Sequence, residues 1–421
     1  MVDCADNRRS GKPLAVLISA LLMTACGASS TPSAPGAETG DAAAGSIQFA
    51  VPRNYPGALL TSLGSASNID TADFDRDGYP DFVIGNTGGG PVLLRGGPDG
   101  AFGPPSVIPA YLDTDSFVVR VADFNGDGLA DIAAGSNLTS RLTVLLGDGH
   151  GDFAVSGQYF LGAPPTDLAI ADFDGDGVPD IIAGTYAGLS LTVLPGNGDG
   201  TLRRASSIPV GVSTLVLYAD DFNGDGITDL AFTDLVEPTH INLANPLGGT
   251  LNVWLGNGDA TFRPQGAYTV GTIAEVIQYG DIDEDGIKDL LVTNAVSNDV
   301  SILHGLGAGV FEPEQRFSVG PPVGGLEGMR LADFDGDGHL DLAVSQITTR
   351  NVRVFKGDGR GDFAFVARYP VATFPEQFLA VDLDGDRCPD LAVNGNLPDL
   401  SLSDPLRVQV SVLINQSTAC R

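Results

Sequence analysis

Aspartate recurs in this chain at a spacing suited to binding a hard cation. The pattern D-x-[DN]-x-D-[GR]-x-x-D begins at Asp73, Asp123, Asp172, Asp221, Asp281, Asp333 and Asp382. Positions 1, 3, 5 and 9 of each copy carry a carboxylate or an amide. They are Asp73, Asp75, Asp77 and Asp81; Asp123, Asn125, Asp127 and Asp131; Asp172, Asp174, Asp176 and Asp180; and Asp221, Asn223, Asp225 and Asp229. The last three copies supply Asp281, Asp283, Asp285 and Asp289; Asp333, Asp335, Asp337 and Asp341; and Asp382, Asp384, Asp386 and Asp390. Alternate side chains on a tight turn aim several oxygens at one centre, and Ca2+, which takes six to eight oxygen ligands, is the expected occupant. Position 6 is Gly in six copies, from Gly78 to Gly338, where a sharp turn needs a positive φ. The seventh copy has Arg387 there, a departure that weakens the expectation for that loop.

Asp, Asn and Gly also build ordinary surface turns. Acids converging without a counter-ion repel by roughly 3 kcal/mol per close pair at an effective dielectric near 20, and seven copies of that liability imply a ligand. Up to seven structural Ca2+ ions are therefore expected. An EF-hand is excluded, because it needs a bidentate Glu at position 12 and flanking helices. Position 12 here is apolar in every copy, as in Ile84, Ala134 and Phe232.

The elements that position these loops read as strands. Position 9 opens a short apolar run such as Asp180-Ile181-Ile182-Ala183, so each loop joins two strands. A second motif follows, a strand running into a Gly-rich turn, as in Leu142 to Leu146 before G-D-G-H-G-D-F. A polar strand after the Phe and the strand ending at the next Asp loop make four strands per repeat. The copies are spaced by 50, 49, 49, 60, 52 and 49 residues, a period that indicates an array of supersecondary units. Such units cannot bury both faces alone and stack around an axis. The expected fold is all-β, a seven-bladed β-propeller of four-stranded antiparallel blades; a linear solenoid is the alternative. The last copy ends before a Gly-rich turn and outer strand, and Gly45 to Phe49 resembles the missing piece, so the N-terminal strand closes the ring.

The combination of D-F-[DN]-G-D-G-x-x-D, an apolar strand and G-[DN]-G-x-G-x-F resembles the FG-GAP or VCBS repeat of integrin-α-like propellers. The resemblance covers residues 46–421 and implies calcium bound by the loop aspartates of each blade. Departures are Ile282 and Leu383 in place of Phe, Arg387 in place of Gly, and the weakened turn from Gly305 to Phe311.

Fifty-three acids against 22 bases give a formal charge of −31, and 26 of the acids occupy the loop positions. Such a surface repels nucleic acid and anionic headgroups. Residues 1–25 read as a signal peptide: Arg8, Arg9 and Lys12 precede the mostly apolar stretch Leu14 to Ala25, whose 12 residues are too few to span a bilayer. Met23-Thr24-Ala25-Cys26 resembles a lipobox, which makes Cys26 the lipidated residue; simple cleavage to a secreted form is the alternative. Residues 26–45 are a flexible Ala/Ser/Pro/Gly tether, and 46–421 the propeller. The expected location is the cell envelope, outer membrane or surface, with the lipid as the sole membrane contact. There Cys388 and Cys420, the remaining cysteines, are expected to form a disulfide holding the C-terminal tail near the seventh loop.

No catalytic pattern is present: no H-E-x-x-H, C-x-x-C, G-x-S-x-G or Walker-type loop. His150, His240, His304 and His339 are scattered. Arg360-Gly361-Asp362 spells an adhesive tripeptide but occupies the repeat position of His150-Gly151-Asp152, so the repeat accounts for it. The long fourth interval, Thr233 to Thr250 with Glu237, His240, Asn242 and Asn245, suits either recognition or neutral insertion. Phe378, Tyr218, Tyr279 and Met329 are expected near the central channel, and Trp254 in the core. The resulting expectation is a non-enzymatic, calcium-binding binding or adhesion module with a protein or glycan partner. A lyase-like polysaccharide-acting enzyme and a carbohydrate-binding lectin are the alternatives.

Overall fold

A computed structural model describes residues 47–57, 66–111, 113, 115–186, 188–234, 248–321, 325–396, 408–418 and 420. The signal and tether segments, Cys26 and most of the long fourth interval, including Glu237, His240, Asn242 and Asn245, lie outside the described residues.

Seven four-stranded antiparallel sheets follow one another along the chain. Blade 2 is representative: Val118–Ala122, Asp131–Ser136, Arg141–Gly147 and Phe153–Phe160, with Ala122 opposite Asp131 and Arg141 opposite both Ser136 and Phe160. The first strand of every blade touches the first strand of the next, and that of blade 7 touches that of blade 1, so these strands line the axis of a closed ring. Every residue of the second strand is buried in most blades, as in Asp81–Asn86 and Asp341–Gln346. Neighbouring blades cover both faces of this strand, which is why the sequence shows apolar runs there instead of alternation.

The interior consists of apolar layers between blades. Four residues before each Asp loop stand Ile69, Val119, Leu168, Leu217, Ile277, Met329 and Phe378, all buried. Met329 and Phe378 thus pack between blades and not in the channel; the β pleat turns them away from the axis. Tyr218 does line the channel, whereas Tyr279 meets Phe222 edge-on at 4.8 Å. Trp254 is half-buried, with its ring 5.5 Å from that of Phe232.

The N-terminal segment completes blade 7. Arg53–Pro56 pairs antiparallel with Val408–Leu413, with Arg53 opposite Val412. Phe49 bridges Asn415, and its ring sits 5.6 Å from Phe334 and 5.3 Å from Tyr369. Its N–H donates to the Tyr369 hydroxyl, as the N–H groups of Leu202 and Phe311 donate to Tyr159 and Tyr268. Phe49 therefore serves as the turn Phe that the last repeat lacks, and the outer strand proper starts four residues later.

Cys388 and Cys420 are bonded in a disulfide with Cα atoms 5.7 Å apart, and the tail is thereby tied to the seventh loop. A bridge across 32 residues removes about 3–4 kcal/mol of unfolded-chain entropy in the loop-closure description. Reduction by dithiothreitol is expected to lower the urea midpoint accordingly, and an unchanged midpoint would show that strand pairing alone seals the ring.

Candidate metal centres

Each Asp loop leaves the end of an innermost strand and enters the buried second strand, so all seven stand at one end of the ring. The position-1 carboxylate organises the loop. In loop 2 Asp123 accepts N–H groups from Gly126 (2.7 Å), Asp127 (3.2 Å) and Gly128 (2.8 Å). Asp127 at position 5 accepts the N–H of Leu129 at 2.8 Å. Gly128 needs its φ of +80° to present that N–H. Arg387 adopts φ +72° at the same point, and its N–H reaches Asp382 Oδ2 at 2.9 Å, so the seventh loop keeps the turn despite the side chain. A left-handed non-glycine residue costs on the order of 1 kcal/mol, which the bridge at the adjacent Cys388 offsets.

Position 9 has a second task that sequence reasoning missed. Its Oδ2 accepts the N–H of the position-2 residue in all seven loops, from Phe74 to Leu383, at 2.8–3.1 Å. Its Oδ1 accepts the N–H of the glycine that opens the next turn, Gly96 through Gly357, or of Asn415 in blade 7, at 2.6–2.9 Å. One carboxylate thus joins the loop to the end of the third strand. Burial pushes these acids up, and neighbouring loop carboxylates add to the shift: Asp81, Asp131 and Asp229 reach about 6, Asp341 and Asp390 about 7.

The loop carboxylates also fit a hard cation, since an oxygen that accepts one N–H keeps a lone pair to offer. In loops 1, 3 and 6 the carboxylates at positions 1, 3 and 9 offer oxygens within 4.8 Å of one another: Asp73, Asp75 and Asp81; Asp172, Asp174 and Asp180; Asp333, Asp335 and Asp341. Loop 5 does so with Asp281, Asp283 and Asp285. Asp75 Oδ1, Asp281 Oδ1 and Asp335 Oδ1 are sealed from solvent with no hydrogen-bond partner, a costly state for a carboxylate that a coordinated cation would relieve.

Basic side chains enter several loops. Arg95 lies 3.5 Å from Asp75, Arg203 pairs with Asp174 (2.9 Å) and Asp176, and Lys356 pairs with Asp335 and Asp337 (2.7 Å). His304 Nδ1 is 3.3 Å from Asp289 and 3.5 Å from Asp283. Among the described residues no ion pair reaches the acids of loops 2 and 4. The signal was present in the sequence, since Arg95, His304 and Lys356 each directly precede the glycine of the Gly-rich turn. His339 meets Glu284 of the neighbouring loop.

The Gly-rich turns fasten blade to blade. Gly151 donates to Phe74 O, Gly200 to Phe124 O, Ala260 to Phe173 O, Gly309 to Phe222 O and Gly361 to Ile282 O, each across a seam at 2.9–3.1 Å. Gly361 of the R-G-D tripeptide and Gly151 of H-G-D therefore do the same work.

A ring of seven such blades, with an oxygen-rich loop at the same end of each, defines a β-propeller whose loops can hold cations. The chain belongs to the FG-GAP-like repeat family, whose model matches residues 73–134, 123–183, 172–232 and 281–344, more than half of its length. No protein of curated function matches it. Similar solved structures include BBS1N in complex with ARL6DN (TM-score 0.57, 12% identity, covering 87% of this chain and 97% of that one). A protein from Lactobacillus plantarum (0.52, 13%, 82% and 94%) and a catalytically inactive virginiamycin B lyase from Staphylococcus aureus with quinupristin (0.51, 13%, 87% and 100%) are also similar. At these identities the likeness is one of fold.

Proposed function

We propose that this protein is a calcium-stabilised binding module, displayed on a bacterial cell envelope through lipidated Cys26 and presenting the propeller to a protein or glycan partner. The observation that carries the calcium reading is the set of sealed, unpartnered oxygens on Asp75, Asp281 and Asp335. Ca2+ would be held by positions 1, 3, 5 and 9 of the loops, and it would supply charge neutralisation and rigidity to the bend between two strands. In loops 1, 3 and 6 a Lys or Arg shares that neutralisation and in loop 5 a His does, so loops 2 and 4, whose acids form no ion pair among the described residues, are sites where the ion meets no built-in competitor there.

Calorimetric titration of the EDTA-stripped protein with CaCl2 is expected to show saturable binding of more than one ion per chain. Lys356→Met should tighten or add a site in loop 6. Absence of heat at millimolar calcium would overturn the reading. The partner class is separable on the same protein: retention on a glycan array favours the lectin form, and release of unsaturated oligosaccharides from acidic polysaccharides would favour a lyase.

A further inference from the structure

The seven repeats allow a comparison internal to the chain. Four residues before each loop all copies are apolar and buried, because blade packing chooses the residue there. One residue later stand Asp70, Arg120, Ala169, Tyr218, Gln278, Arg330 and Leu379. All seven line one cavity of about 350 Å³ enclosed by the innermost strands. Copies that agree where packing decides and disagree at the channel waist are answering to something other than packing.

The charges at this waist are unequally satisfied. Arg120 pairs with Asp167 and Asn68 and also donates to Leu168 O at 3.1 Å and Val119 O at 2.9 Å. Asp70 accepts the N–H groups of Thr71 and Val121, both at 2.9 Å. Arg330 differs. Its Nη1 donates to Met329 O at 2.7 Å and its guanidinium lies 5.9 Å from the Phe378 ring, and no carboxylate among the described residues pairs with it. A guanidinium carries five donors in a fork that matches a carboxylate, and the remaining donors of this half-buried one meet no carboxylate at hydrogen-bonding distance among the described residues, Asp70 acting on it only from further off. Burial and then the like charge of Arg120 lower its pKa to about 10, while Asp70 and Tyr218 oppose the shift. Tyr218 lines the same cavity, and its hydroxyl makes no hydrogen bond to any described residue.

The surroundings restrict the guest. Asp70, Asp167 and Glu275 line the same cavity, and Glu327 and Glu376 stand at the strand position of Glu275 in blades 6 and 7, toward the channel end away from the loops. A multiply charged phosphate meets about twice the repulsion there that a singly charged carboxylate does. The volume lies in the range of small-ligand sites. We propose that the channel waist binds a small hydroxylated monocarboxylate, with its carboxylate on the Arg330 guanidinium and a hydroxyl on Tyr218. This site is separate from the cation loops and does not depend on their occupancy.

Calorimetry of the full chain with D-glucuronate as probe tests it, with D-glucose, acetate and inorganic phosphate as comparisons. Saturable binding of glucuronate, with none of glucose, is expected. Arg330→Met should weaken it by about tenfold or more and Tyr218→Phe by about threefold, the usual effects of removing a charged and a neutral hydrogen-bonding partner. Arg330→Lys keeps the charge but loses the fork, so it retains the fold and still weakens binding should the Met variant not fold. No glucuronate heat at about 50 mM, unchanged affinity in the Arg330 variants, or equal binding of acetate and phosphate with Tyr218→Phe indifferent would each overturn the proposal.

Discussion

Asp341→Ala is expected to cost about 3–5 kcal/mol of folding free energy, measured by urea denaturation, and the loss should persist in EDTA. The side chain accepts the Phe334 N–H at 2.8 Å and the Gly357 N–H at 2.9 Å, and it is fully buried. Its removal strands two buried donors, each costing about 1–3 kcal/mol, and severs the tie between the sixth loop and the end of the third strand. Repulsion from Asp335 and Asp337 makes the carboxylate less valuable at neutral pH, which keeps the estimate below the sum of the upper limits. Asp341→Asn, which retains one acceptor, should lose about half as much. A cost seen with calcium and absent in EDTA would show that position 9 acts as a cation ligand alone.

Chelation has the other large effect. The chain carries a formal charge of −31, and its acids converge at the loops. A site held at a hundredfold its Kd contributes about 2.7 kcal/mol, so two sites should move the thermal midpoint of a propeller this size by about 7 °C and further sites by more. The pH profile adds a sign. Asp81, Asp131 and Asp229 at about 6, and Asp341 and Asp390 at about 7, are raised above the unfolded value by burial first and by neighbouring carboxylates second. The folded state then holds protons that the unfolded chain releases. That stability is fully present below the unfolded value near 4 and is lost as pH rises through 6 to 7. In EDTA the midpoint should therefore fall between pH 5 and pH 8. In saturating calcium, which favours the ionised form, the same profile should flatten. Superimposable profiles in EDTA and calcium would refute the role of the cation.

The seven loops, the four strands per repeat and closure by the N-terminal segment were legible because each is a local pattern repeated in register. A motif of nine residues contains its own turn chemistry, and the apolar run after position 9 is written into consecutive residues. Phe49 was recognisable as the missing turn residue for the same reason, although the outer strand Arg53–Pro56 was not, since its polar sequence carries no strand period. Other features depended on partners distant along the chain. Position 9 finds its second N–H donor 15 to 27 residues away, and Lys356 meets Asp335 across 21 residues. That Arg330 forms no salt bridge among the described residues follows only from where six other innermost strands stand. Sequence alone determined the blade, since backbone turns and burial patterns are properties of adjacent residues. Tertiary structure decided which oxygens already accept hydrogen bonds, which loops contain their own cation and which guanidinium in the channel is left outside the described salt bridges, because hydrogen bonding and Coulomb energy depend on distances that exist only once the ring has closed.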